Sequence, residues 1–138
     1  MTELHFPPNL TEKLLLIDQP LVNNYAIASG DTNPIHRETD EAYSGPFGRP
    51  VAHGMILYAL ACQIMQEAFG QKWITSGSIS VKWRGPTPLP SEVRATGTLK
   101  KQSSEQVQYD IDCSNQDGET LLTASGRFGK QKITSAMK

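Results

Sequence analysis

Met55-Ile-Leu-Tyr-Ala-Leu-Ala-Cys-Gln-Ile-Met-Gln-Glu-Ala-Phe69 is the stretch that decides the fold. Only Gln63, Gln66 and Glu67 interrupt its apolar run, so residues 55–69 are expected to form a helix that is hydrophobic on nearly every side. Such a helix has to be enclosed by protein, because packing one face alone would leave much of its surface wet. At about 15 residues it is too short to span a bilayer, which takes roughly 20.

The enclosing material follows in sequence. Ile79, Val81 and Trp83 fall on one face of a strand while Ser78, Ser80, Lys82 and Arg84 fall on the other. The sets Val93-Ala95-Gly97-Leu99 and Val107-Tyr109-Ile111-Cys113 repeat the alternation, and Thr120-Leu122-Ala124-Gly126-Phe128 gives a weaker one. Period-two patterning predicts antiparallel strands with one wet face. Trp83 and Tyr109 sit on the inward sets and are expected in the core. Gly85-Pro86-Thr87-Pro88-Leu89-Pro90 cannot continue a ladder, and Ser103-Ser104 and Asn115-Gln116-Asp117-Gly118 mark the later turns.

Upstream of the central helix, Thr11 to Ile17 ends in an apolar run that suits a buried first strand. Asp18 is a candidate N-cap, Pro20 fits the first helical turn, Leu21, Tyr25 and Ala28 share a face, and Gly30 supplies the stop. A further short helical turn is expected from Glu38 to Tyr43. The reading is α+β: an antiparallel sheet of about five strands wrapped around a long buried central helix.

Bulk properties agree with one domain, taken as residues 1–129, with 130–138 as a flexible C-terminal tail. Thirteen basic and fourteen acidic residues leave a net charge of −1, which argues against nucleic acid and anionic membrane as partners. Cys62 and Cys113 lack metal-ligand spacing, and Met1 to Asn9 lacks a signal-peptide pattern. The expected setting is the reducing cytoplasm, without membrane insertion.

The chemistry concentrates between Tyr25 and Met55. Asp31 and His36 bracket Asn33-Pro34, and Pro34 pushes Asn33 away from the helical region, so the chain bends between a carboxylate and an imidazole. Two such groups on one short loop can share a proton or a water molecule, as general acid–base catalysis requires. An Asp, with a reference pKa of about 3.9, is ionised at neutral pH unless desolvated, and a His titrates near the working range. His53-Gly54-Met55 opens the central helix, where free N–H groups and the positive dipole end point outward. Gly54 has no side chain to keep a carbonyl from its N–H, although it can equally serve only to let the helix pack on a strand. No G-x-S-x-G, Walker or dinucleotide fingerprint is present. His5, His36 and His53 lack metal-ligand spacing, and no metal site is expected. Arg49 is open to a carrier phosphate or a structural salt bridge, while Lys82, Arg84, Lys100 and Lys101 read by default as a solvated sheet face.

The segments Y-A-I-A-S-G-D-T-N-P-I-H (residues 25–36) and F-G-R-P-V-A-H-G-M (residues 47–55), with Ala42 between them, resemble the signature of MaoC-like dehydratases, the (R)-specific enoyl-thioester hydratases. The resemblance implies a hot-dog fold with a short helical overhang carrying the active-site loop. It implies a lyase, an enoyl-CoA hydratase or 3-hydroxyacyl dehydratase of fatty acid metabolism. Such an enzyme interconverts a (2E)-enoyl and a (3R)-3-hydroxyacyl thioester without a cofactor, on coenzyme A or acyl-carrier protein. Asp31 and His36 would be the acid–base pair and the Gly54 amide the oxyanion donor. Asn33 would hold the loop or touch substrate, and His53, beside the donor, is read chiefly as a structural hydrogen-bonding residue. A homodimer joined through sheet edges, or a higher homo-oligomer, is implied as well. Two other readings stay open: a hot-dog thioesterase, for which Glu67 is the one helix carboxylate, and the structural or substrate-binding subunit of a heteromeric dehydratase.

Overall fold

The computed structural model describes residues 6–129. In chain order the elements are β1 (Lys13–Ile17), α1 (Gln19–Ser29), a 3-10 turn (Pro34–His36), α2 (Asp40–Ser44), α3 (Gly54–Phe69), α4 (Gln71–Ser76), β2 (Ser78–Trp83), β3 (Ser91–Gln102), β4 (Gln106–Ser114) and β5 (Thr120–Gly129). The strands form one antiparallel sheet in the order β1-β3-β4-β5-β2, so β1 and β2 are its edges.

The sheet curls around α3 because its inward residues and the helix share one core. Ile56, Leu57, Leu60, Ala61, Ile64 and Met65 of α3 are buried with Val93, Ala95, Tyr109, Ile111, Cys113, Leu122 and Phe128. Close approach of sheet and helix needs strand positions without side chains. A Cβ on Gly97 would lie 2.7 Å from Leu10 and 3.4 Å from Ile64, and one on Gly126 would lie 3.2 Å from Met65. Tyr109 is fully buried, as its alternation predicts, and its hydroxyl donates to the Pro7 carbonyl at 2.7 Å.

Several expectations shift. α3 is not enclosed on every side within one chain: Met55, Ala59, Gln63 and Gln66 form an exposed stripe, because five strands cover only part of the cylinder. Leu14 and Leu16 are exposed while Ile17 is buried, since β1 is an edge strand with one wet face. On α1 the fully buried face is Val22 and Ala26, with Leu21 and Tyr25 packed beside it and Ala28 exposed. The turn expected at residues 38–43 starts later, at Asp40, because the Thr39 hydroxyl caps it by accepting from the Ala42 N–H at 3.1 Å. α4 was not anticipated; Gly70, at φ 55°, breaks the path of α3 and starts it. Trp83 is 48% exposed, because its indole reaches the start of α3 rather than the core. His5 and the expected tail over residues 130–138 lie outside the described residues. Among the described residues, no helix is long and apolar enough to cross a membrane.

Candidate active site

α1 delivers the first candidate side chain. Asp18 accepts from the Leu21 N–H at 3.1 Å to start the helix, and Gly30, at φ 78°, ends it in the left-handed conformation that glycine adopts without penalty. Asp31 follows at once. Its Oδ1 accepts from the Asn33 N–H at 3.3 Å, and the Asn33 Oδ1 accepts from the Ile35 N–H at 3.2 Å to cap the 3-10 turn that ends at His36. The Asn33 side chain is thus occupied in shaping the loop.

His36 is 7% exposed and is fixed from behind. Its Nδ1–H donates to the Val51 carbonyl at 2.8 Å, and its own carbonyl accepts from the Gln19 side chain at 2.8 Å. A neutral ring with Nδ1 protonated carries its lone pair on Nε2. That bare nitrogen faces the Asp31 Oδ2 at 3.8 Å.

Val51 works through its backbone. Its N–H donates to the Ile35 carbonyl at 3.1 Å and its carbonyl holds His36, while residues 50–52 pair with the 87–89 turn through Leu89 N–H to Pro50 O (3.1 Å) and Ala52 N–H to Thr87 O (2.9 Å). The Pro-rich turn thereby fixes the approach to α3.

His53, 3% exposed, caps α3 with extended backbone but makes no side-chain hydrogen bond to the helix end. The first-turn N–H groups, Gly54 foremost, are left free of a side-chain cap. The His53 ring instead stacks on His36 with centroids 3.6 Å apart, meets Tyr25 edge-on at 4.8 Å, and donates from Nε2 to the Asp31 carbonyl at 3.0 Å. Gly54 has a packing reason to be glycine: its carbonyl accepts from the Trp83 indole N–H at 3.0 Å, and a Cβ would come within 2.7 Å of that nitrogen.

The structure therefore brings Asp31, His36 and His53 into one cluster, with Gly54 next in chain to His53 and Asn33 holding the loop. Sequence reading missed Val51, Tyr25 and Trp83. Alternation alone assigned Trp83 to the core, and no local pattern marks a backbone carbonyl such as that of Val51 as a partner.

The donor atoms of Asp31, His36 and His53 lie within 4.8 Å of one another, the spacing at which a metal enters consideration. His53 Nε2 is already the donor to the Asp31 carbonyl, however, which leaves two free donor groups, fewer than the three or four protein ligands of a zinc site. The arrangement fits an acid–base cluster better than an ion site.

The remaining candidates fall elsewhere. Burial raises the Cys62 thiol, against a smaller opposing effect of the Tyr58 hydroxyl, so it is no activated nucleophile. Glu67 is bound by Lys13 at 2.8 Å, and that hydrogen bond holds its carboxyl below the usual range. Arg49 is exposed and enters no ion pair among the described residues. A groove of about 480 Å³ lies on the outer face of the sheet, lined by Thr96, Thr98, Asp110, Asp112 and Ser125; it shares no residue with the cluster.

The chain is similar to known proteins in sequence and in fold. The curated 3-hydroxyacyl-thioester dehydratase Z of Mycobacterium tuberculosis is 37% identical in an 87-residue alignment that covers 60% of this chain and 58% of that relative's length. Among solved structures, the (R)-hydratase PhaJ1 of Pseudomonas aeruginosa superposes with a TM-score of 0.75 at 18% identity, covering 96% of this chain and 90% of that one. The ChsH1–ChsH2 complex of M. tuberculosis gives 0.76 at 17% identity over 89% and 95%. At such identities the structural likeness shows the shared hot-dog fold. The family described as MaoC like domain matches residues 7–120, most of the chain, and the protein belongs to that family.

Proposed function

We propose that this protein is a hydro-lyase that interconverts a (2E)-enoyl thioester and the (3R)-3-hydroxyacyl thioester, with Asp31 and His36 as its acid–base pair. One observation carries the reading. Asp31 Oδ2 and His36 Nε2, the carboxylate and a bare ring nitrogen, stand 3.8 Å apart beside the uncapped start of α3. Two acceptors at that separation suit the two hydrogens of a single water.

The chemistry follows from that placement. Water attacks C3 of the enoyl group as one of the pair takes its proton. The C2–C3 π electrons move toward the thioester carbonyl, whose developing oxyanion lies against the Gly54 N–H. A proton from the pair then reaches C2, the enolate collapses to the thioester, and the pair returns to its starting state. A well-aimed backbone donor typically contributes about 3–4 kcal/mol to such a step. Base, acid and oxyanion donor all come from the chain, so no cofactor is invoked; coenzyme A or acyl-carrier protein would carry the acyl group. The (3R) course is carried over from the family signature, and the dehydratase Z name supports the thioester class.

A thioesterase reading is weaker. Glu67 lies thirteen residues along α3 from Gly54, about 20 Å at 1.5 Å per residue, and its carboxylate is held by Lys13. A purely structural subunit would have no need of both Asp31 and His36.

The partner proposed is a second copy joined along the free edge of β2. Trp83, at the end of that strand and half exposed, reaches Gly54, so the edge runs directly to the site. Cys62 and Cys113 are both free thiols, which suits the cytoplasm.

The test is hydration of crotonyl-CoA, followed by loss of the enoyl-thioester absorbance. Turnover is expected, with Asp31→Asn and His36→Ala each lowering kcat by about 10²- to 10⁴-fold while remaining folded. Undiminished turnover in either variant, or release of free thiol in place of hydration, would overturn the reading.

A further inference from the structure

His53 is buried, yet one of its ring nitrogens is unused. Nε2 donates its proton to the Asp31 carbonyl, which leaves Nδ1 as a bare acceptor, and Nδ1 is buried with no hydrogen-bond partner. A phenyl ring of similar shape could stack on His36 and meet Tyr25 without that uncompensated nitrogen. What the imidazole adds over a hydrocarbon is the Nε2–H donor.

The recipient of that donor explains its value. Asp31 sits on an exposed loop with its side chain 52% exposed, and its other hydrogen bonds, its N–H donating to Ser29 Oγ and its Oδ1 accepting from the Asn33 N–H, stay local to the loop. Among the described residues, the bond from His53 is the hydrogen bond that ties Asp31 to another element of the fold. The same His53 ring backs His36, and the His53 backbone opens the helix that presents the Gly54 N–H. One residue thus joins carboxylate, imidazole and helix start.

We propose that His53 is a positioning residue of the hydratase site: its Nε2–H holds the Asp31 backbone, and its ring braces His36, so that Asp31 Oδ2 and His36 Nε2 keep their separation for a shared water. The assignment rests on the acid–base reading of Asp31 and His36 given above. His53 is not the proton donor to substrate, because its only proton is committed to a carbonyl and the ring is 3% exposed. The two stacked histidines are consequently opposite tautomers, Nδ1–H at His36 and Nε2–H at His53.

The experiment compares the full chain with His53→Phe, His53→Gln, His53→Asn and Asp31→Asn in crotonyl-CoA hydration, with folding checked by thermal melting. Phe keeps a ring and loses the donor; Gln places an amide N–H near the reach of Nε2; the Asn amide falls short. His53→Phe and His53→Asn are expected to lower kcat by about 10- to 100-fold, with KM within roughly threefold of the unmutated chain, as loss of orientation predicts. His53→Gln should recover most of the rate. A folded His53→Phe with full kcat, or a His53→Gln as impaired as His53→Phe, would overturn the assignment.

Nitrogen-15 NMR of the imidazoles in the unmutated chain gives a readout that needs no activity. Nε2–H at His53 beside Nδ1–H at His36 is expected, and Nδ1–H at His53 sinks the proposal whatever the kinetics. If the unmutated chain fails to hydrate crotonyl-CoA, or Asp31→Asn stays active, the hydratase reading has failed; the tautomer of His53 then still decides whether it holds Asp31.

Discussion

At Gly54 two requirements meet on one residue. The indole of Trp83 occupies the space a Cβ would take, and the N–H beside it opens the helix at the site. Gly54→Ala forces the indole to move and breaks its bond to the Gly54 carbonyl. The expected result is a loss of about 1 kcal/mol of stability, the net worth of an ordinary hydrogen bond. A fall in kcat of about tenfold or more should accompany it, as the helix start shifts. Urea denaturation and crotonyl-CoA kinetics on the variant check both; wild-type values in each would mean that Trp83 yields without consequence. At this scale the candidate site was largely legible, because Asp31, Asn33, His36, His53 and Gly54 lie within 24 positions of one another. What could not be read was the division of labour. Asn33 turned out to cap the 3-10 turn, and His53 bonds Asp31 across 22 positions, a contact no spacing rule supplies.

At the scale of elements, α1 and α3 act as carriers. α1 ends where Asp31 must stand, and its start depends on the Asp18 cap. Asp18→Ala should cost about 1 kcal/mol of stability, read from the shift in urea midpoint at unchanged slope. α3 is the interior column: Leu60 is 2% exposed and belongs to the core shared with the sheet. Leu60→Ala should cost about 2–5 kcal/mol, by lost transfer energy plus the cavity left behind. A cost near 0.5 kcal/mol, measured the same way, would show that the helix does not supply the core. The extents of α3, β3, β4 and β5 were read closely because their patterns are long and periodic. The burial along β1 and the presence of α4 were not: β1 ends in a continuous apolar run that hides its alternation, and α4 depends on the turn at Gly70.

For the whole molecule, burial sets an alkaline limit. Burial pushes the Cys113 thiol from 9.0 to about 12 and the Tyr109 hydroxyl from 10.0 to about 12, with Asp112 adding to the Cys113 shift. Both groups are neutral when protonated, and folding raises their pKa. Their stabilising contribution is therefore complete below the unfolded values, near pH 9, and is lost as pH rises toward 12. Stability is expected to fall between pH 9 and pH 12, and Cys113→Ala should flatten that fall while lowering stability at neutral pH. Urea titrations at pH 8 and pH 10.5 on both proteins test this; equal pH dependence would assign the alkaline loss to other groups. The free edge of β2 and the exposed stripe of α3 also predict a dimer, about twice the 15.2 kDa chain by light scattering. A fully active 15.2 kDa species would refute it.

The sequence by itself determined the layered architecture and named the residues of the candidate cluster, Asp31, His36 and His53. Both are local: helix and strand periods are short, and the candidate residues fall in two short stretches, the proline-bent loop from Asp31 to His36 and the helix start at His53 and Gly54. Tertiary structure decided which ring nitrogen faces Asp31, how the loop is held, and why Gly54 has no side chain. Each of these depends on a partner brought from elsewhere in the chain: the Val51 carbonyl for His36, the His53 ring for Asp31, and the Trp83 indole, 29 positions beyond Gly54. A side chain's tautomer and a backbone group's partner are set by what folding places against them, and short-range pattern carries no record of that.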